Sequence, residues 1–317
     1  MSRSCVVVLL AGESLLCGVG AGENAAQKPR QAGQQAAYNA TQQFASTQRL
    51  GFLLFGDGLI SGYANAIRGI QEVLGTSALI IGGMAGDDLR FTKTYQYANN
   101  RIISGGIAGV LLGGEISIGF GLEHGFAPIS KPRKITRASE NVLYELDGQP
   151  AASVYVEYFG TEHVLKMSQE RWSRRAVAYP LGIHHQASQQ WLLRNVVAFR
   201  EDGSLTCSGE MLENSWLQLM IGSRELALEA AYKAAKQAIQ SLNRVSCVLI
   251  FDSIARQILL GSTYASAEIQ RIREAVGPAV TLAGCYTYGE QSSSGNASVY
   301  ERTTIQTGSV LVVAIGT

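Results

Sequence analysis

The chain has 317 residues, 46% of them hydrophobic and 16% charged, which fits a compact protein of one large or two medium domains. Its 26 basic and 25 acidic residues leave a formal net charge of +1, so the charge balance argues against a nucleic-acid-binding protein. The five cysteines form no CxxC or Cys/His cluster, which disfavours a cysteine-bound zinc and favours a reducing compartment. We therefore expect a cytoplasmic protein.

The N-terminal stretch is the one place where a targeting signal is an alternative. Arg3 precedes a short apolar run at residues 5–11, but Glu13 falls where a signal peptide is still apolar. No stretch reaches the roughly 18 to 20 apolar residues that span a bilayer. We therefore expect no membrane segment.

The sequence contains an internal duplication. AAYNATQQF, which starts at Ala36, recurs as AAYKAAKQA from Ala230, and GFLLFGDG corresponds to CVLIFDSI. LIIGGMAGDD then corresponds to TLAGCYTYGE, with Gly83 aligned to Gly284, and GIAGVLLGGEISIG corresponds to TGSVLVVAIG. Because the order is kept, we expect two copies of one structural unit.

Each copy has the same predicted elements. Small and apolar residues three and four apart predict a first helix over residues 31–44 and again over 224–242. A short buried strand follows, LGFLLF or CVLIF, and a second helix over residues 61–74 or 265–275 leads to the strand ALII or AVTLA. Alternating strands and helices predict an α/β fold of two related halves, with helix-covered mixed, largely parallel sheets.

A turn rich in glycine and acidic residues ends the second strand of each copy. The two turns are GGMAGDD at residues 82–88 and GCYTYGE at residues 284–290. Ligands of open α/β sheets bind beyond the carboxyl ends of strands, where glycine lets a backbone approach closely. We expect the turns to face each other across one cleft; the alternative is that they only cap strands and leave Asp87, Asp88 and Glu290 exposed.

The composition changes between the two copies. Residues 120–190 form a predicted connector, which divides the chain into an N-terminal half at 1–119, this connector, and a C-terminal half at 191–317. Pro150 is expected to open a helix that ends at Phe159. The connector also carries a basic cluster that we expect to be a solvated strand face rather than a phosphate site: Lys131, Arg133, Lys134 and Arg137.

Eight short motifs run from near the start of the chain almost to its end. They are GVGAGEN, GGMAGDD, HGFAP, YELDGQPA, YPLGI, LRNVVAFREDGSL, FDSIAR and GCYTYGE. In this order they resemble the FIST domain, a sensory module of bacterial signalling proteins and of some eukaryotic F-box proteins. The resemblance implies an N-terminal and a C-terminal FIST half.

The resemblance implies a sensor of a small ligand, often proposed to be an amino acid, that acts through a kinase or another output protein. Because no output domain follows Thr317, we expect a separate signalling partner such as a histidine kinase. Relatives usually have a further α/β segment before the first strand seen here, and we expect this chain to begin after that segment. The first strand, predicted at residues 5–10, is therefore expected at a sheet edge. Ser253 stands where many relatives have cysteine, so no role of that thiol carries over.

An amino-acid-like ligand needs a cation for its carboxylate and an acid for its ammonium group. We predict Arg256 as the cation, with Arg194 second, because a guanidinium binds a carboxylate through two parallel hydrogen bonds. We expect Arg256→Ala to abolish binding and leave the fold intact; the alternative is that Arg256 and Glu290 pair with each other. The complete predicted ligand-binding set is Gly83, Asp87, Asp88, Arg194, Arg256, Tyr286, Tyr288 and Glu290.

Three other functions are alternatives to a sensor of a small metabolite. Some stand-alone members of the resembled family are haem-based nitric-oxide sensors that act on a histidine kinase, and His124 and His184 are the candidate haem ligands here, although neither lies in a CxxCH motif. A scaffold that binds a protein without a ligand is the second alternative. The chain has no GxSxG, GxxxxGK[ST] or HExxH motif, so we expect no enzyme activity and no cofactor other than haem in that alternative.

Overall fold

The computed structural model describes residues 6–46, 48–60, 62–169, 173–185, 190–293 and 303–317. Helices combine with mixed sheets that include parallel pairs, which confirms the predicted α/β class with two related halves. None of the helices in these described ranges is long and apolar enough to cross a membrane.

The described residues of the first half contribute six strands and two helices. Its elements are β1 (Leu15–Gly22), α1 (Pro29–Gln42), β2 (Arg49–Asp57), α2 (Tyr63–Leu74), β3 (Ile80–Ala85), β4 (Gln96–Ala98), β5 (Arg101–Ile103) and β6 (Ile107–Gly114). Four of these strands lie side by side in one sheet in the order β1, β6, β2, β3, and β4 and β5 form a separate two-stranded sheet. Within the four, only β2 and β3 pair in parallel.

A long middle segment separates β7 (Ser117–Glu123) from the rest of the second half. Its nine strands form one antiparallel sheet, and its helices bury apolar side chains against that sheet. The elements are β8 (Phe126–Pro128), β9 (Arg133–Ser139), β10 (Val142–Leu146), β11 (Gln149–Pro150), α3 (Ser153–Phe159), α4 (Thr161–Gln169), α5 (Arg174–Val177), β12 (Leu181–His185), β13 (Gln190–Arg194), β14 (Val196–Phe199), β15 (Leu205–Cys207) and β16 (Trp216–Gly222).

The second half repeats the first. The elements after the middle segment are α6 (Arg224–Ile239), β17 (Val245–Ser253), α7 (Ile254–Val276), β18 (Thr281–Thr287), β19 (Glu290–Ser293), β20 (Thr303–Gln306) and β21 (Val310–Gly316). The four strands of its sheet lie in the order β7, β21, β17, β18, and again only the last two pair in parallel. Because β7 belongs to this sheet, the second half begins before the middle segment; the domain limits given above stay a prediction.

The two sheets pack face to face, with the helices outside. Leu53 and Ile81 of the first sheet share one apolar cluster with Phe251 and Val313 of the second, while α1 and α2 cover the other face of the first sheet and α6 and α7 that of the second. The sequence predicted helices as the cover of these strands. An apolar strand pattern shows that a strand is buried but not whether a helix or a second sheet covers it. The contact between the two sheets was therefore not predicted. Among the described strands, parallel pairing occurs between β2 and β3 and between β17 and β18.

Glycines bring one helix of each half very close to an edge strand. A Cβ atom on Gly20 of β1 would lie 1.9 Å from the backbone oxygen of Ala36 in α1, and one on Gly121 of β7 would lie 2.0 Å from that of Ala234 in α6. Only glycine opposite alanine permits such an approach. The duplicated Ala-rich helices therefore owe their close packing to glycines in the strands beneath them.

Three predicted elements differ from the structure. The strand predicted at 5–10 is wrong over residues 6–10, which form no strand, and Cys5 lies outside the described residues; the first strand is β1, whose glycines admit α1. The helix predicted from Pro150 begins at Ser153, because Pro150 pairs with Glu145 in a short hairpin. Helix α7 begins well before residue 265 and is bent at Gly261, which has a φ of 73°.

The tight contact at Gly20 leads to a stability prediction. Gly20→Ala is expected to lower the free energy of unfolding by about 1 to 3 kcal/mol, because a helix backbone cannot yield to an added methyl group. Urea unfolding measures the loss. Gly12→Ala is the control, since its Cβ atom would meet nothing closer than 3.7 Å; equal effects of the two substitutions would contradict the packing account.

Candidate functional site

The two glycine and acid turns are in direct contact. The short strand β19, which follows β18, pairs with β3, so that Glu290 lies opposite Gly83 and Gln291 opposite Gly82. The Met84 N–H donates to the Gly289 carbonyl over 2.9 Å. We call this contact between residues 82–89 and 286–291 the seam. The structure thus brings the two turns together, as a closed joint between the halves rather than across an open cleft.

The structural counterpart of Gly284 is Gly82 rather than Gly83. A Cβ atom on Gly82 would lie 2.0 Å from the Leu54 oxygen, and one on Gly284 would lie 2.3 Å from the Ile250 oxygen at the matching place in the other sheet. The alignment of Gly83 with Gly284 is therefore shifted by one residue. Gly83 instead faces the second sheet, where an added Cβ would meet Thr287 and Phe251.

Asp87 organises the loop that follows β3. Its carboxylate accepts the backbone N–H groups of Phe91, Thr92 and Lys93 and the hydroxyl of Tyr288 at 2.7 Å. Burial alone raises the pKa of Asp87, but these hydrogen bonds together lower it below its usual value. The carboxylate is already fully engaged, and neighbouring Asp88 is exposed.

Tyr288 holds the seam from the other side. Its hydroxyl also accepts the Leu89 N–H at 2.6 Å, and its ring stacks on Phe91 with centroids 5.2 Å apart. Burial, followed by the hydrogen bond to Asp87, raises the pKa of Tyr288 to about 12. Tyr288 thus acts as a bridge between the two turns.

Glu290 is fully buried at the seam. Burial raises its pKa to about 8. Its carboxyl lies 2.5 Å from the Thr287 hydroxyl, which is also 3.2 Å from the Asp252 carbonyl oxygen, while the Ser309 hydroxyl donates to it at 2.7 Å. Thr287 has one hydroxyl proton, which it can donate to only one of these two oxygens. When Glu290 is protonated and donates to the Thr287 oxygen, the Thr287 hydroxyl can donate its own proton to the Asp252 carbonyl.

Arg256 ties together four parts of the second half. Its guanidinium donates to the Asp252 carboxylate at 2.9 Å, to the carbonyls of His124 and Ala227, and to the Glu268 carboxylate beyond the bend in α7. The side chain is completely buried. Although burial lowers the pKa of Arg256, the Glu268 and Asp252 carboxylates raise it above its usual value.

These contacts correct two expectations about Arg256. No carboxylate oxygen of Glu290 lies within 4.0 Å of it in the described part of the chain, where its ion pairs are with Asp252 and Glu268; the predicted pairing with Glu290 is therefore wrong. Burial and the Glu268 charge raise the pKa of Asp252, and the Arg256 guanidinium offsets the charge of these two acids. Its removal leaves this buried acid pair without a counter-charge. The expectation that Arg256→Ala leaves the fold intact is therefore not supported.

Tyr286 borders this cluster, and burial and the Asp252 charge raise its pKa.

Arg194 has a different environment. Its guanidinium donates to the carbonyls of Leu193, Glu210 and Ile305, and among the described residues no carboxylate lies within ion-pair distance of it. Burial lowers the pKa of Arg194 to about 10, so it keeps its charge at neutral pH. Ile305 pairs with Gln291, which places this cation one strand away from the seam.

Two further residues beside the seam were missed by the sequence reading. The Tyr63 hydroxyl and both polar atoms of the Gln291 amide are buried, and none of them forms a hydrogen bond of good geometry with a described residue. The two side chains lie beside each other, because the Gln291 amide partly offsets the rise that burial causes in the pKa of Tyr63. Gln291 lies opposite Gly82, and Tyr63 packs over Gly56, the β2 residue beside Met84. Gln291 directly follows the GCYTYGE turn, so its position was a signal that the predicted set did not use. Tyr63 lies in α2, outside both turns, and only the folded contact reveals it.

Ser253, the departure from the family pattern, has a structural role with an internal precedent. Its hydroxyl accepts the N–H of Gly308 at 2.9 Å, and Asp57 in the first half accepts the N–H of Gly105 at 2.8 Å in the same position. Gly105 and Gly308 both have positive φ. The two halves thus fix equivalent loops with different side chains.

Each of the two candidate haem ligands packs against an aromatic side chain. His124 Nδ1 accepts the Phe126 N–H at 3.0 Å, and burial followed by the Arg256 charge lowers the pKa of His124 to about 4. A neutral imidazole that accepts at Nδ1 carries its proton on Nε2, so Nε2 has no lone pair for iron. His184 packs edge-on against Trp191. This geometry does not favour a haem site at His124.

Two surface pockets lie away from the seam. One of about 290 Å³ is bordered by β1, the end of α1 and the β4–β5 turn, including Asn39 and Arg101. The other, of about 430 Å³, lies between α1 and α2 and includes Tyr38 and Glu72. Neither is lined by a predicted ligand-binding residue.

The Arg256 network predicts a large loss of stability on truncation. Arg256→Ala is expected to lower the free energy of unfolding by about 3 to 5 kcal/mol, because it leaves the buried acids Asp252 and Glu268 without their counter-charge. Arg271→Ala on the same helix removes surface ion pairs to Glu274 and Glu229 and a stack on the Tyr232 ring, and is expected to cost about 0 to 2 kcal/mol. Chemical denaturation of both variants measures the difference, and similar losses would refute the structural role.

The raised pKa of Glu290 predicts a pH dependence. Between the unfolded value of about 4.3 and about 8 in the folded protein, only the folded state keeps the proton. The contribution of this group to stability is therefore present at low pH and is lost as pH rises through that window, by up to about 1.4 kcal/mol per pH unit.

Glu290→Gln removes this titration and keeps the side-chain shape. The unfolding free energy of the variant minus that of the wild type is expected to rise steadily between about pH 5 and about pH 8. A difference that stays constant across this range would show that Glu290 is not held protonated.

Comparisons with known proteins agree with this architecture. The FIST N domain matches residues 1–149 and the FIST C domain matches residues 151–293. An uncharacterized protein of Methanocaldococcus jannaschii is 27% identical over 215 residues, which are 63% of this chain but 40% of that protein. The chain thus spans less than half the length of this relative. Since the two family matches together cover most of the sequence, the chain belongs to the FIST family of sensory signal-transduction modules.

Proposed function

We propose that the protein is a sensor that binds a small zwitterionic or anionic metabolite, such as an amino acid, at the seam between its halves. Its membership of a sensory family supports a role in signal transduction. The signal would pass to a separate protein such as a histidine kinase. A cytoplasmic setting is part of the proposal and rests on the unclustered cysteines.

The observation that carries the proposal is the group of poorly hydrogen-bonded polar atoms beside the seam. A buried donor or acceptor without a hydrogen bond costs about 1 to 3 kcal/mol. Tyr63 and Gln291 contribute a hydroxyl, an amide nitrogen and an amide oxygen that form no hydrogen bond of good geometry with a described residue and have only a looser contact with each other. A polar ligand that hydrogen-bonds these atoms would recover that cost, and such groups give specificity for a particular ligand.

The charges around the seam fit the two ends of an amino acid. Arg194 is a buried cation whose described partners are carbonyl oxygens, so it is better suited to a ligand carboxylate than Arg256, which is already neutralised by two carboxylates. Glu290, with its pKa of about 8, can release a proton when an ammonium group approaches. The remaining predicted residues, Gly83, Asp87, Asp88, Tyr286 and Tyr288, would shape and close the site.

Entry of a ligand requires the seam to open. The ladder between β19 and β3 is two residue pairs long, and opening the seam also breaks the Met84 backbone bonds and the Tyr288 bridge to Asp87. The contacts of a bound ligand would have to offset these losses. A ligand with different affinities for the open and closed seams would shift their populations. This shift is the proposed signal to the partner protein.

Tyr63→Phe tests the site with a minimal change. Because the hydroxyl forms no hydrogen bond of good geometry with a described residue and has only a looser contact with Gln291, its removal is expected to change the stability of the free protein by less than about 1 kcal/mol. It is expected to weaken ligand binding roughly fivefold to tenfold, the equivalent of one hydrogen bond of about 1 to 1.5 kcal/mol. Thermal unfolding with the twenty amino acids, dicarboxylates and haem identifies the ligand, and calorimetric titration measures both proteins.

Tyr155→Phe is the matched control. The Tyr155 hydroxyl donates to the Tyr179 carbonyl at 2.8 Å in the middle segment, so its loss is expected to reduce stability and leave the affinity unchanged. Stabilisation by haem alone would replace the metabolite with a haem sensor. No stabilisation by any compound would favour a scaffold, and an unchanged affinity of Tyr63→Phe would move the site elsewhere.

A further inference from the structure

The strand β18 has an open edge. It is the last strand of the four-stranded sheet, and β17 is its partner in the described part of the chain. Thr281, Gly284 and Cys285 are exposed, and the strand is half-buried elsewhere except at Thr287. An open edge normally carries charges, proline or a bulge that prevent pairing with another chain, yet TLAGCYT contains none of these residues.

The other half of the same molecule shows what this edge accepts. The counterpart of β18 is β3, and its corresponding edge is filled by the antiparallel strand β19. The backbone N–H and carbonyl of Met84 both bond across that edge, to Gly289 and Tyr288. Because Gly82 is the counterpart of Gly284, alternation along the strand points the N–H and carbonyl of Gly284 toward the open edge of β18.

The residues of β18 are compatible with a second copy of themselves. In an antiparallel pair centred on Gly284, threonine lies opposite threonine at the ends, Leu282 opposite Tyr286, and Ala283 opposite Cys285. Large residues then meet large ones, small meet small, and no like charges are opposed. Such a symmetric pairing is what a twofold interface requires.

We propose that β18 is a dimerisation edge, at which two copies of this chain join their four-stranded sheets into one eight-stranded sheet. Gly284 and its equivalent in the second copy exchange both backbone hydrogen bonds at the centre. Ala283 and the Cys285 of the second copy then form a non-hydrogen-bonded pair, with Cα atoms about 4.5 Å apart. This distance lies within the range that a disulfide bridges.

Cross-linking tests the pairing and its register. In a chain with Cys5 and Cys17 replaced by serine, Ala283→Cys is expected to form a covalent dimer on mild oxidation at micromolar concentration, because each new cysteine faces Cys285 of the other copy. Gln270→Cys, exposed on α7, is the control for random collision. If Ala283→Cys forms the intermolecular disulfide no faster than Gln270→Cys does, the proposed register is wrong.

The mass in solution tests the dimer itself. Sedimentation of the wild type is expected to give twice 33.9 kDa, and Cys285→Lys is expected to halve this mass, since a charge on the edge opposes pairing. Gln270→Lys adds the same charge away from the edge and is expected to remain dimeric, and circular dichroism checks that each variant is folded. A monomeric wild type, or a dimer that survives Cys285→Lys, would overturn the proposal; in the first case a strand from another protein would be the occupant.

Discussion

The pairing of β19 with β3 is the contact that fixes the two glycine and acid turns against each other. It makes a strand of the second half the neighbour of a strand in the first, so that Glu290 and Gln291 are held against Gly82 and Gly83. Tyr288 adds a side-chain bridge to Asp87 across the same contact. Without this joint, the two sheets would still share an apolar face, but their polar turns would have no fixed relation.

The seam also explains why so many buried polar groups are tolerated there. Glu290 is held by Thr287 and Ser309, and Arg256 is held by carboxylates and carbonyls from four segments. Each buried charge in this region therefore has partners, which keeps its desolvation cost low. Tyr63 and Gln291 differ because none of their side-chain polar atoms forms a hydrogen bond of good geometry with a described residue.

Much of the architecture was predictable from the sequence, because the duplication preserves the order of the elements. It also preserves the position of the side chain that fixes each loop, although Asp57 has this role in one half and Ser253 in the other. The face-to-face sheets were not predictable, since an apolar strand looks the same whichever layer covers it. The partners of Arg256 were missed for a related reason. Glu268 lies 12 residues further along the chain, and only the bend at Gly261 and the packing of α7 bring it back to the guanidinium.

Hydrogen exchange at the seam tests the central claim most directly. The amides of Met84, Tyr288 and Ser309 all donate within or beside the seam, and their exchange can be followed with and without the amino acid or dicarboxylate that stabilises the protein most. The account predicts that this ligand changes exchange at these amides more than anywhere else in the protein. A stabilising ligand that alters exchange only around the pockets beside α1 would contradict it.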